Sequence, residues 1–222
     1  MISTQRSLPR AVIFDFDGVI FLSEHLHVAA WEEVGQSIGC SLTHAELDGM
    51  IGLTDADCAR DISRLWKGRL SPDEILAGKR AAYRRRMRSE ARPVAGVLHW
   101  IKTVSAMLPC GVATSSTPGD VLPLIEQHGI SDAFRTLRTV EDVKKPKPDP
   151  EIYRLVAKDL GADPSMCLVF EDSIPGTTAA LAAGMCVVGV TTTYGVSKLP
   201  KVHHAIPDFM NLEFLRSITV GF

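Results

Sequence analysis

Short apolar runs recur along this chain, and several stop at polar residues that carry chemistry. Ala11 to Phe14 is apolar throughout and reads as a strand buried on both faces. Similar runs lie at Cys110 to Ala113, Met166 to Phe170 and Cys186 to Val190, with weaker ones at Phe134 to Leu137 and His204 to Ile206. Helical patterns alternate with them: Val97 to Leu108, Asp120 to His128 stopped by Gly129, and a helix whose inner face is Ile152, Leu155 and Val156, ending at Gly161. An alanine-rich helix from Pro175 to Gly184 and a terminal helix complete the series. Repeated strand-then-helix order predicts an α/β fold, a Rossmann-like parallel sheet with helices on both faces, whose ligands collect at the carboxyl ends of strands. In the helix after Pro146, Asp149 is expected as the cap and Pro150 at the first position.

A different pattern fills the interval between the first two runs. His27, Trp31, Val34 and Ile38 fall on one helix face, with Gly39 able to end it. Residues 41 to 92 show no strand pattern. Ile51, Gly52 and Leu53 break the helical run, Thr54 can cap a helix containing Ala59, Ile62, Leu65 and Trp66, and Ser71-Pro72-Asp73-Glu74 opens another. Arg92 to Gly96 reads as a connector back to the alternating region. The predicted division is an α/β core from residues 1–21 and 93–222 and a helical domain over 22–92.

Composition changes this picture little. The 222 residues, 45% of them hydrophobic, suffice for one large domain or a domain with an insertion. No apolar run reaches the ~20 residues that span a bilayer, and the first ten residues are too short and polar for a secretion signal, so a cytoplasmic protein is expected. Five widely spaced cysteines without a C-x-x-C read as buried free thiols. The net charge of -2 argues against nucleic acid as a partner. One segment is locally basic: Lys79, Arg80, Arg84, Arg85, Arg86, Arg88 and Arg92 face only Glu90, which reads as a solvated helix face with one or two members able to attract an anion.

Candidate chemistry sits at the strand ends. Asp15 and Asp17 end the first run and are followed by Gly18, which lets the backbone turn and a ligand come close. Taken alone, D-x-D-G is equally a surface turn; as a buried pair it asks for a hard cation, magnesium being the expected one. Thr114, Ser115, Ser116 and Thr117 follow the second strand and lead into Pro118-Gly119-Asp120, an arrangement of donors that suits phosphate and also an ordinary helix cap. Lys144-Lys145-Pro146-Lys147-Pro148-Asp149-Pro150 is a proline-stiffened loop able to aim a lysine, and Lys145 is the expected one. Glu171 and Asp172 end another run. His27 reads either as a packed histidine or as one facing the acid site.

Together these segments resemble the haloacid dehalogenase superfamily, in the branch of sugar-phosphate phosphatases and β-phosphoglucomutase. Asp15-Phe16-Asp17-Gly18-Val19 resembles the first family motif, Val112 to Ser116 the second, Lys145-Pro146-Lys147-Pro148-Asp149 the third and Phe170-Glu171-Asp172-Ser173 the fourth. Ser23-Glu24-His25-Leu26-His27 is similar to the stretch that enters this branch's helical cap. The resemblance implies that Asp15 attacks phosphorus and that Asp17 first protonates the leaving alcohol and then activates water. It further implies that Thr114 and Lys145 hold phosphoryl oxygens, with Gly18, Ser115 and Ser116 beside the phosphate. Magnesium is then expected on Asp15, the Asp17 carbonyl and Asp172, with Glu171 as a further ligand.

Departures narrow the reading. Leu22 stands where the phosphatases usually have an acid, and Asp55 where the mutase has an arginine that grips a second phosphate; Lys79 matches a mutase cap lysine. Asp17 separates the chain from dehalogenases and phosphonoacetaldehyde hydrolases. The expected function is a magnesium-dependent phosphatase acting on a small phosphorylated metabolite, with the cap closing over the leaving group and His27, Lys79 and the Asp55 loop reading it; the sequence leaves the oligomeric state open, a monomer being favoured. The alternatives are a sugar-phosphate mutase and a non-catalytic phosphometabolite-binding protein.

Overall fold

A computed structural model describes residues 8–50 and 54–219; Met1 to Ser7 and the break expected at Ile51, Gly52 and Leu53 lie outside the described residues. In chain order the elements are β1 (Ala11–Phe14), β2 (Phe21–Leu22), α1 (Glu24–Ser37), α2 (His44–Met50), α3 (Asp55–Leu65), α4 (Pro72–Glu90) and β3 (Arg92–Pro93). They continue as α5 (Val97–Ser105), β4 (Cys110–Ala113), α6 (Pro118–Gln127), β5 (Thr136–Arg138), α7 (Glu151–Asp159) and β6 (Cys167–Glu171). Last come α8 (Ile174–Ala182), β7 (Cys186–Val190), β8 (His204–Ile206) and α9 (Leu212–Thr219). The chain divides into two compact units, Met1–Leu22 with Arg92–Phe222, and Ser23–Ala91. Leu22 and Arg92, expected in the helical domain, instead pair with each other across the short antiparallel β2–β3 ladder of the larger unit.

The larger unit is built on a six-stranded sheet in the order β5-β4-β1-β6-β7-β8. Every pairing in it is parallel. β1 is central, and its four residues are wholly buried, as the unbroken apolar run requires of a strand covered on both faces. Alternation sorts the strand residues by face. Ala11, Ile13, Cys167, Val169 and Val187 pack with Ile152, Tyr153 and Val156 of α7 and Ala179 and Ala180 of α8. On the other face Phe14 stacks on Phe170 with centroids 5.2 Å apart, and both meet Phe209. Because β4, β1 and β6 are neighbours, the residues just beyond them, Thr114, Asp15 and Asp172, leave the sheet side by side.

Three boundaries differ from the sequence pattern. β5 covers Thr136–Arg138, further along than the apolar run. β6 extends through Glu171, so that this acid is the last strand residue. Pro150 is the cap of α7, while the Asp149 side chain accepts from the Glu151 N–H at 3.0 Å. All five cysteines are free thiols. Among the described residues no helix is long and apolar enough to cross a membrane.

The smaller unit, α1 to α4, has its own core of Trp31, Val34, Cys58, Ile62, Trp66 and Ile75. Thr54 caps α3 by accepting from the Asp57 N–H at 3.1 Å, and Ser71 and Glu74 form a reciprocal capping box at α4. On α4, Arg80, Arg84, Arg85 and Arg88 are exposed, and Arg85 and Arg86 both pair with Glu33. Lys79, from the same basic run, is 1% exposed.

Candidate active site

The backbone after β1 is bent so that two acids share a side. Asp15 still donates its N–H to Phe170 O at 3.0 Å, continuing the ladder, and Phe16 turns the other way into the core against Phe21. Asp17 accepts from the Ser116 hydroxyl beyond β4, and its charge is felt at Asp15. Gly18 follows with φ of +71°, where a side chain is strained. A Cβ there would also lie 1.9 Å from Asp172 Oδ2, so the glycine lets the Asp172 carboxylate pack against the loop. The Thr192 hydroxyl donates to Gly18 O, and that of Thr193 bonds the Asp172 carboxylate.

Asp15, Glu171 and Asp172 each bring a carboxylate oxygen within 4.8 Å of the others, all three buried. The cation among them is Lys147, 5% exposed, with Nζ 2.6 Å from Asp15 Oδ1, 2.8 Å from Glu171 Oε1 and 3.1 Å from Ala113 O. Burial, above all, pushes the Asp15 pKa up to about 8; the Lys147 charge opposes this, and Glu171 and Asp17 add to it. Burial likewise raises Asp172 well above the ordinary carboxylate range, with Glu171 and Asp15 adding repulsion. For Lys147 burial works against the charge, but Asp15 and Glu171 outweigh it and hold the ammonium charged. Three buried carboxyl groups thus share one ammonium, and ionising all of them together needs further positive charge. Oxygen donors with no thiol or imidazole in the group, and buried acids held back from ionising by burial and mutual repulsion, fit a hard divalent cation.

Glu171 stands apart from the other two acids. Oε1 accepts from Lys147 and from the Tyr153 hydroxyl, while Oε2 accepts from the Ser173 N–H at 2.8 Å and its hydroxyl at 3.0 Å. With four protein donors on it, this carboxylate holds its surroundings in place. At the end of β4, buried Thr114 accepts from the Ser116 N–H at 3.0 Å, and the Ser116 hydroxyl donates to Asp17 Oδ2. Hydroxyls, an ammonium and paired carboxylates thus meet where three parallel strands end, an arrangement that can bind a phosphoryl group and move a proton beside it.

The profile of the family described as haloacid dehalogenase-like hydrolase matches residues 12–190. The chain belongs to the haloacid dehalogenase-like hydrolase family. This hydrolase is 30% identical over 179 residues to fructose-1-phosphate phosphatase YqaB of Escherichia coli, covering 81% of the chain and 95% of that protein. It is also 30% identical to a phosphorylated carbohydrates phosphatase of Thermotoga maritima, over 79% of the chain and 82% of the relative. Its fold is shared with β-phosphoglucomutase of Clostridium difficile, with a TM-score of 0.77 at 22% identity, over 95% of this chain and 97% of that one.

The expected residues fare differently in the structure. Asp15, Asp17, Gly18, Thr114, Ser116, Glu171 and Asp172 come together, whereas Ser115 is exposed. Lys145 is a correction. Its side chain is 76% exposed and reaches only Asp149, at 4.0 Å, because Glu151 at the start of α7 accepts the Lys144 and Lys145 N–H groups and holds that part of the loop outside. Lys147, enclosed by Pro146 and Pro148, is the lysine delivered to Asp15. The sequence pattern marks Ser173 only as part of the fourth motif and does not mark Tyr153, Thr192 or Thr193; Thr192 and Thr193 lie just past a strand end, which is the available signal.

Within the helical unit, Lys79 Nζ lies 2.7 Å from His27 Nδ1 and 2.9 and 2.7 Å from the two Asp55 oxygens. Trp31 and Tyr83 place their rings about it, with centroids 5.2 and 4.8 Å away, and His27 stacks on Tyr83. Asp55, which stands where the mutase has an arginine, is the ion-pair partner of Lys79.

Proposed function

We propose that this hydrolase is a magnesium-dependent phosphatase that releases phosphate from a small phosphorylated carbohydrate through an aspartyl-phosphate on Asp15. The observation that carries the reading is the Lys147 ammonium, buried between Asp15 and Glu171 at the ends of the strands. The family placement and the two carbohydrate-phosphate phosphatases among its relatives support it.

The chain's own residues account for each step. An Asp15 oxygen attacks phosphorus, the ester P–O bond breaks, and the departing alkoxide takes a proton from Asp17. Water then attacks the acyl phosphate, giving its proton back to Asp17, and the bond to Asp15 breaks to free phosphate and the carboxylate. Ser116 fixes the Asp17 carboxyl through its hydroxyl. Thr114 and Lys147 hold the phosphoryl oxygens. Asp15, Asp172 and the Asp17 carbonyl would hold the magnesium. Bound there, the ion supplies positive charge that keeps Asp15 ionised and offsets the charge of the phosphoryl group. In the helical unit, His27, Lys79 and Asp55 are the proposed readers of the leaving group. A second phosphate at Lys79 would have to displace Asp55, which favours a monophosphate substrate over the bisphosphate of a mutase. The reading extends to a cytoplasmic enzyme with no nucleic-acid partner.

Phosphate release from a panel of phosphorylated carbohydrates, phosphoglycolate and nucleotides, with magnesium and with chelator, tests this. Magnesium-dependent release from sugar phosphates is expected. Conversion of a hexose 1-phosphate to its 6-phosphate on addition of a bisphosphate, without net release, would make the enzyme a mutase. Metal-dependent binding without turnover would make it a binding protein.

A further inference from the structure

Tyr153 lies on α7, fully buried beneath the lysine of the site. Its ring packs in the apolar cluster with Ile152, Val156 and Ala157, a place that phenylalanine would fill as well. What phenylalanine lacks is the hydroxyl, which costs stability in such surroundings unless it is bonded. Here it donates to Glu171 Oε1 at 3.0 Å, the same oxygen that accepts from Lys147 at 2.8 Å, and the ring centroid lies 4.9 Å from Lys147 Nζ. The rest of the carboxylate is fixed as well: Ser173 holds Oε2, and a Cβ on Gly176 would come within 1.5 Å of Oε1. Glu171 therefore cannot swing to compensate if one of its donors is removed.

We propose that the Tyr153 hydroxyl is a positioning group for phosphoryl transfer, setting how strongly Glu171 holds the Lys147 ammonium. The three N–H groups of Lys147 are directed to Asp15, Glu171 and the Ala113 carbonyl. To grip a phosphoryl oxygen it must redirect one of them, and the neutral Ala113 carbonyl at 3.1 Å is the weakest holder. A carboxylate oxygen shared between two donors attracts each less than it would attract one alone. With the hydroxyl gone, Glu171 draws Lys147 closer and away from the phosphoryl group. The inference rests on the phosphatase reading, because the role of Lys147 is part of it.

The test is Tyr153→Phe, which keeps the ring under Lys147. We expect kcat to fall about tenfold, KM and the Kd for inorganic phosphate with magnesium to rise about threefold, and Tm to stay within about 3 °C. A purely packing role would leave kcat unchanged in Tyr153→Phe. Tyr153→Met, which lacks both ring and hydroxyl, adds the contrast: equal kcat in the two variants with a lower Tm in the second supports a hydroxyl role, whereas loss confined to the methionine variant overturns it. Parental kcat and parental phosphate affinity in Tyr153→Phe likewise overturn it. Should the parent release no phosphate from any ester, the phosphatase reading fails by itself, and an unchanged phosphate affinity still decides against Tyr153.

Discussion

Lys147 carries the positive charge in a cluster of buried carboxylates, and single side chains around it decide whether the site works. Lys147→Ala leaves Asp15 and Glu171 facing each other without their shared ammonium, so activity should fall by about 100-fold or more. Lys145→Ala removes an exposed side chain and should leave kcat/KM within about twofold. Steady-state rates of the two variants check this; the reverse order would return the role to Lys145. Gly18→Ala forces a methyl against Asp172 Oδ2 in a backbone conformation that disfavours side chains, so it should abolish the response to magnesium in a titration of activity. The two acids of the first motif and Gly18 were legible because their order along the chain is itself the signal. The choice between Lys145 and Lys147 turned on Glu151, which holds the loop by its backbone, and a contact across several residues of loop is not written in either lysine.

At the scale of elements, the buried strands were the most legible part. Ala11–Phe14, Cys110–Ala113 and Cys186–Val190 form where the apolar runs stand, because strands covered on both faces must be apolar throughout. β5 was displaced because it lies at the sheet edge, where its three residues are only half-buried and apolar character is a poor guide. Its end is fixed by charge instead. Arg138 donates to Asp159 of α7 at 2.7 Å and to Asp142 at 3.0 Å. The hydrogen bond from Arg138 chiefly holds Asp159 below its usual 3.8. A carboxylate depressed in the folded state stabilises above its unfolded pKa, and that contribution is lost as pH falls through the folded value. Asp159→Asn should therefore lower Tm at pH 7 by roughly 1–2 °C, after allowance for solvent screening of an accessible pair, and the difference should shrink steadily as the pH falls below the unfolded value. Thermal melts across pH measure it, and a difference that grows toward acid would rule the account out.

For the whole molecule, the alternating and the all-helical regions were separable by eye, but the pairing of Lys79 with Asp55 was not, since it joins two helices. Magnesium should raise Tm by binding the folded chain alone, and Asp172→Asn should remove most of that shift. A shift of parental size in the variant would place the ion elsewhere. The most direct measurement is phosphate release from the best phosphorylated carbohydrate, with saturating magnesium, by the parent and by Asp15→Asn. The account predicts turnover by the parent and none above background by the variant, which should still fold and bind the ester. Release at the parental rate by Asp15→Asn would show that Asp15 is not the nucleophile and would contradict the mechanism at its centre.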